Sequence, residues 1–256
     1  MGKMFDDPVK LHDRHTPENV SKRLEEGSPQ SYLKDLVYGG IDGTITTFAV
    51  VSGVVGANLD TGIVVILGLA NLIADGFSMA VSNFLGTRAE QQFLERARAE
   101  EEEEIRVIPE GEIEEIRQIF ALKGFEGELL EQVVDVITSD EKVWVDIMLQ
   151  EEHGLVLEGA DPGRAAWWTF VAFILAGAVP IVPFIANLIG DEGIPAPFLW
   201  SSIATGVTFF AIGVFKAGVV ETNRIKSGIE TVAVGGAAAV LAYGVGWALR
   251  GIADGV

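Results

Sequence analysis

Apolar and small residues run almost unbroken from residue 39 to residue 86, "GGIDGTITTFAVVSGVVGANLDTGIVVILGLANLIADGFSMAVSNFLG". A helix rises about 1.5 Å per residue and a bilayer's hydrocarbon core is about 30 Å thick, so the run is too long for one crossing and close to right for two. The polar "ANLDTG" at 57–62 falls at its middle and has the Asn, Asp and Gly chemistry of a tight turn. The pattern predicts a helical hairpin with spans near 36–58 and 62–86. Three further apolar runs, near 165–189, 197–220 and 229–250, are each long enough to cross.

Residues 87–163 break this pattern. "TRAEQQFLERARAEEEEEIRVI" is rich in strong helix formers and has no Gly or Pro until Pro109. With no breaker between Gly86 and Pro109, the second span is expected to continue into this insert as one helix and to hold it rigidly. "GEIEEIRQIFALKG" restarts with Ile113, Ile116, Ile119 and Phe120 on one face and stops at Gly124, and "EGELLEQVVDVITS" and "DEKVWVDIMLQEEHG" supply two more helical segments. The expected fold is all-α: a polytopic membrane protein of five transmembrane helices, with a helical bundle inserted between the second and third. The segments are 1–31, a polar tail with one short amphipathic helix; 32–86, spans one and two; 87–163, the insert; and 164–256, spans three to five. The tail has no apolar core of the kind a cleaved signal peptide needs.

Charge adds a direction to this picture. The chain carries 37 Asp and Glu against 18 Lys and Arg, a formal net charge of −19, although 49% of it is hydrophobic. Between Arg88 and Arg164 lie 22 of those acids and 8 of the bases. An acidic insert of this kind repels nucleic acid and anionic lipid and attracts cations. Lys and Arg cluster in the tail (Lys3, Lys10, Arg14, Lys22, Arg23, Lys34), in the insert, and near the last connection (Lys216, Arg224, Lys226), whereas "ANLDTG" and "GDEGIPAP" have none. Short basic loops stay in the cytosol, so the N-terminus and the acidic insert are expected inside and the C-terminus outside. With no cysteine, disulfides and thiolate metal sites are ruled out.

Two sets of residues carry candidate chemistry. In the insert, Glu101 with Glu104 and Glu112 with Glu115 are i, i+3 pairs on helix faces, and Met148 precedes Glu152 by one turn. Carboxylates projecting inward from facing helices are how helical bundles hold metal, although acid-rich helices are also commonly solvated faces and a lone Met commonly packs a core. A di-iron oxidase set would need Glu-x-x-His, and Gln150 stands three before His153, so no enzyme activity and no resident cofactor are expected. In the spans, an ionised Asp is costly unless it faces a bundle interior or an aqueous path. Asn71, Asp75 and Met79 share one face of the second span, Asp42 and Thr46 one face of the first, and Asp42 and Met79 fall at similar depth. Carboxylate and amide oxygens beside a thioether suit Fe²⁺ or Mn²⁺ better than Ca²⁺. The competing reading for Asp42 is a helix cap between Gly40 and Gly43; Lys216 can snorkel.

Several ordered stretches resemble the vacuolar iron transporter family. "YGGIDGTITTFAVVSGVVGA" and "DGFSMAVSNFLGTRAE" are similar to its first two spans, "EEEEEIRVIPEGEIEEI" and "WVDIMLQEEHGL" to helices of its cytoplasmic metal-binding domain, and "AVPIVPF" to its proline-bearing third span. The likeness covers residues 32 to 250. It implies a homodimer of five-span protomers in the lipid bilayer, exchanging cytosolic Fe²⁺ or Mn²⁺ for protons, in a vacuolar-type membrane or, in a prokaryote, the inner cell membrane. It also implies a translocation path through Asp42 and Met79, and metal gathered on Glu101, Glu104, Glu112, Glu115, Met148 and Glu152; Asp75 joins the path as a candidate on the reading of the second span's face alone. Two positions depart from the pattern: Asn71 stands where some members are acidic, and Leu149 where some have a second Met. A membrane-anchored metal storage or sensing protein, whose spans conduct nothing, is the alternative. Gly53, Gly56 and Ala57 suggest close packing of first spans across a dimer axis.

Overall fold

The structure is a computed structural model that describes residues 12–13, 15–26, 32–190 and 193–253. The described residues are almost wholly helical. The chain divides into two compact units, one made of residues 1–84 and 163–256 and the other of Leu85–Pro162. The tail carries the expected short helix, α1 (Pro17–Glu26), which is strongly amphipathic.

In the larger unit, α2 (Leu33–Gly56) and α3 (Thr61–Val107) form the predicted hairpin. Its turn passes through Asn58 at φ 61°, a left-handed conformation that Asn tolerates better than most residues. Helix α3 continues without a break past Gly86 to Val107, as the absence of Gly and Pro beyond that point predicts. The third apolar run is not one helix: α7 (Pro162–Ala178) and α8 (Val182–Ile189) meet at a 56° bend. Pro180 and Pro183 cause it, since neither can donate the backbone hydrogen bond that would carry a helix through. The bend leaves the Pro180 carbonyl without a helical partner, and the Ser201 hydroxyl donates to it at 2.6 Å. Ser201 belongs to α9 (Pro197–Val219). The last long helix, α10 (Arg224–Ala248), begins about a turn before its apolar run because the Asn223 side chain caps the Lys226 N–H. A short turn of helix, α11 (Arg250–Ala253), follows. Helices α2, α3, α9 and α10 are each long and apolar enough to span a bilayer, and the bent pair makes a fifth candidate.

Close backbone approach organises this unit around α2. A Cβ placed on Gly43 would lie 2.4 Å from the Phe173 carbonyl oxygen of α7, and one on Gly246 of α10 would lie 2.1 Å from the Gly53 oxygen. Such contact is how membrane helices gain packing without a hydrophobic driving force. Of the stretch expected to pack across a dimer axis, Gly53 and Gly56 are approached by α10 of the same chain, while Gly53 and Ala57 also line an apolar groove. Phe48, Val51, Val54, Val64 and Phe184 fill the space near the hairpin turn.

The smaller unit contains α4 (Pro109–Leu122), α5 (Gly127–Thr138) and α6 (Glu141–Glu151) with the last turns of α3. These elements match the helices read from the insert. Asp140 caps α6 by accepting from the backbone N–H groups of Lys142 and Val143. Ile116, Val134, Ile137, Trp144 and Met148 form its core, and a second cluster joins Ala97 to Val145 and Leu149.

Candidate metal centres

In the smaller unit the carboxylates do not all face water. Glu101 is 1% exposed and Glu112 2%, and each has one oxygen, Oε2, that is buried with no hydrogen-bond partner. Glu104 stands with them, the three offering oxygens all within 4.8 Å of one another. Glu115 lies within electrostatic reach of Glu152, whose charge opposes its ionisation. Basic side chains do not neutralise this cluster. Arg98 pairs with Asp146 at 2.5 Å, Arg106 with Glu103, Arg117 with Glu114 and Glu131, and Lys123 with Glu151. Among the described residues His153 alone reaches in, its Nε2 lying 2.7 Å from Glu101 Oε1.

Buried carboxyls that repel one another hold protons more tightly. Burial first, then repulsion from Glu115, Glu101, Glu104 and Glu152, pushes Glu112 up to about 7. Burial and the neighbouring Glu152 also raise Glu115. The hydrogen bond to Glu101 raises His153. A raised group stabilises the fold below its unfolded pKa and loses that contribution as pH climbs through the folded value. The metal-free protein is therefore expected to melt several degrees lower at pH 8 than at pH 5.5. Glu114, held low by Gln118 and then Arg117, and Glu131, held low by Arg117, lose their contribution only at more acid pH and do not interfere in this window. A divalent ion at 100 times its Kd would restore about 2.7 kcal/mol at pH 8. Thermal melts of the full chain in detergent, with and without metal, measure both effects, and a melting point that rises steadily from pH 5.5 to 8 without metal would contradict the assignment.

Met148 is fully buried between Ile116, Val134 and Trp144, seated by apolar packing. Glu152 caps the end of α6 and groups with Glu101 and His153.

The larger unit holds the second set. Asp42 lies within electrostatic reach of Asp75, and both are half-buried. Met79, also half-buried, packs at the edge of the Leu72, Phe173 and Ile181 cluster. Asn71 has its amide nitrogen buried without a partner. Thr46 donates to the Asp42 carbonyl at 2.9 Å, which occupies its hydroxyl locally.

Two residues were missed by sequence reasoning. Asp35 is buried at 7% exposure and accepts from Asn83 Nδ2 at 2.7 Å, the same amide reaching Thr169. Placing the first span at residue 36 left Asp35 outside it, yet it precedes Asp42 by two helical turns and so shares its face. His153 lies past the end of α6, where helical periodicity carries no information.

Helices able to span a membrane and a compact unit with a buried acidic cluster define a multi-pass integral membrane protein. Residues 33–247 match the model of the VIT family, and the chain belongs to that family. It is 34% identical over 236 residues to a vacuolar iron transporter of Toxoplasma gondii, covering 90% of this chain and 78% of that protein. It is 30% identical to a vacuolar iron transporter of Plasmodium berghei, with 91% and 88% covered. Vacuolar iron transporter 1 of Arabidopsis thaliana is 29% identical, with 91% and 89% covered.

Proposed function

We propose that this chain carries divalent transition metal, Fe²⁺ and also Mn²⁺, out of the cytosol in exchange for protons. The observation that carries the reading is a set of buried carboxylates with orphaned oxygens and, among the described residues, no basic partner but His153. Such groups need a cation or a proton, and an exchanger supplies one when the other leaves. The relatives named as iron transporters support the choice of ion. The acidic unit, on the cytosolic side by the distribution of Lys and Arg, captures the ion on Glu101, Glu104, Glu112, Glu115 and Glu152, with the Met148 thioether as a softer donor. The pair Asp42 and Asp75 passes it across, Met79 biases the choice of ion, and a returning proton on one of the two acids couples the exchange. The protein works as a homodimer; a shallow apolar groove lined by Ala49, Gly53, Leu67 and Leu249 is a surface suited to a second copy.

Reconstitution tests this. Proteoliposomes with an imposed pH gradient should move Fe²⁺ or Mn²⁺ with an opposite proton flux. The chain has no native cysteine. A cysteine at exposed Asp60, or at Asp191, which lies outside the described residues, should react with an impermeant thiol reagent from outside, and one at exposed Glu158 should not. Labelling with the reverse sidedness would overturn the direction. A wild-type protein that binds metal but moves none would make the spans an anchor for metal storage.

A further inference from the structure

We propose that His153 is a metal ligand, giving the acidic unit a nitrogen-containing subsite with Glu101 and Glu152. This rests on the reading that the acidic unit collects the transported ion. Three observations carry it.

The ligand atoms are already gathered. The imidazole nitrogen, a Glu101 oxygen and a Glu152 oxygen all lie within 4.8 Å of one another, and His153 Nε2 is 2.7 Å from Glu101 Oε1. Metal–nitrogen and metal–oxygen bonds of about 2.0 to 2.2 Å put neighbouring ligand atoms roughly 3 Å apart, so an ion replaces the hydrogen bond after a shift of a few tenths of an ångström. The ring is partly exposed, with a side chain at 38%, and can make that shift, whereas Glu101 is fixed.

The backbone holds the ring in place. Beyond α6 the chain turns on two bonds, His153 N–H to the Met148 carbonyl at 3.3 Å and Leu155 N–H to the Leu149 carbonyl at 2.9 Å. Gly154 between them sits at φ +65°, a conformation that other residues adopt only with strain. Leu155 then packs with Leu149 and Ala97, one turn before Glu101 on α3. This turn aims His153 back at that helix.

The acids beside it point to a ligand independently. Glu101 also groups with Glu104 and Glu112, and the free Oε2 atoms of Glu101 and Glu112 are buried without partners. A carboxylate-only set suits Mn²⁺, Mg²⁺ or Ca²⁺, whereas an added imidazole shifts preference toward Fe²⁺, Co²⁺ and Zn²⁺. His153 is thus the residue that makes the acidic unit selective among divalent ions.

The chain has three histidines, so replacing His12 and His15 by Asn leaves His153 as its sole imidazole. Zn²⁺ bound to that full-length protein in detergent should show imidazole outer-shell scattering in X-ray absorption at the zinc edge. Adding His153→Asn should remove the signal and weaken Zn²⁺ by about tenfold or more, while Mn²⁺ changes by less than about threefold. Zinc bound with oxygen-only scattering in the protein that retains His153 would overturn the ligand role and leave the acidic-unit reading intact. So would equal weakening of Zn²⁺ and Mn²⁺ by His153→Asn, which would make the histidine only a prop for Glu101. Wild-type protein that binds no zinc would overturn both. The first measurement does not depend on the His153 variant folding.

Discussion

Asp42→Asn should leave a folded protein whose metal transport falls by more than about tenfold, the scale on which losing a metal-site group acts. The substitution keeps the shape of the side chain and removes one of the two charges. Neither the carbonyl that Thr46 uses nor the packing of Gly43 against α7 is touched, so dimensions and melting point should survive. What goes is the anionic oxygen and, with it, a site for the returning proton. Asp75→Asn removes the other half of the pair and should act in the same direction. Met79→Leu should be milder and alter ion preference more than rate, because the thioether is a weak, soft donor at the edge of an apolar cluster. Initial rates of Fe²⁺ and Mn²⁺ flux in proteoliposomes, read beside proton flux, measure all three. Wild-type rates from both Asn variants would mean that the intramembrane acids are not the path.

Replacing Glu101, Glu104, Glu112 and Glu115 together by Gln should abolish most metal binding by the full chain at pH 7.5. Each Gln keeps the volume and the hydrogen-bonding reach but removes a charge from a site with, among the described residues, no basic counterpart except His153. Removal of the buried carboxyl that burial, and then repulsion, push up to about 7 should also make the metal-free variant more stable at pH 8 than the wild type, so lost binding and raised stability appear together. In the wild type, binding should weaken as pH falls through about 7, since protons compete for the same oxygens. Calorimetry follows binding, and unchanged stoichiometry in the variant would return the glutamates to a solvated face. Transport should be reduced but not eliminated if Asp42 and Asp75 are intact.

The helices were legible because their signals are local. Apolar length marked the spans, the uninterrupted run to Pro109 marked the continuation of α3, and Gly124 marked the end of α4. The bend in the third run was written in Pro180 and Pro183, but apolar length alone reads through two prolines. Within the acidic cluster, periodicity identified Glu101, Glu104, Glu112 and Glu115 as faces, but could not say which were buried. Burial depends on which face meets Trp144 and Ile116, a tertiary fact. Asp35 and His153 escaped for a related reason: one sits at the margin of a span and the other beyond a helix end, where the partner that gives each its meaning, Asn83 or Glu101, lies 48 or 52 residues away in the chain.

The glycine contacts of α2 also decide which of the paired acids can be displaced. At Gly43 and Gly56, α2 meets α7 and α10 backbone to backbone, where no flexible side chain can give way. Helix α3 meets its neighbours differently. Gly68 and Gly76 face only the tips of Ile181, Phe173, Ile174 and Phe170, while the Asn58 turn and the Asn83 amide tether the span at either end. Between those tethers, the close contacts at its glycines are with side-chain ends and not with backbone. If the proposed exchange changes the distance between Asp42 and Asp75, the helix expected to move is α3 rather than α2.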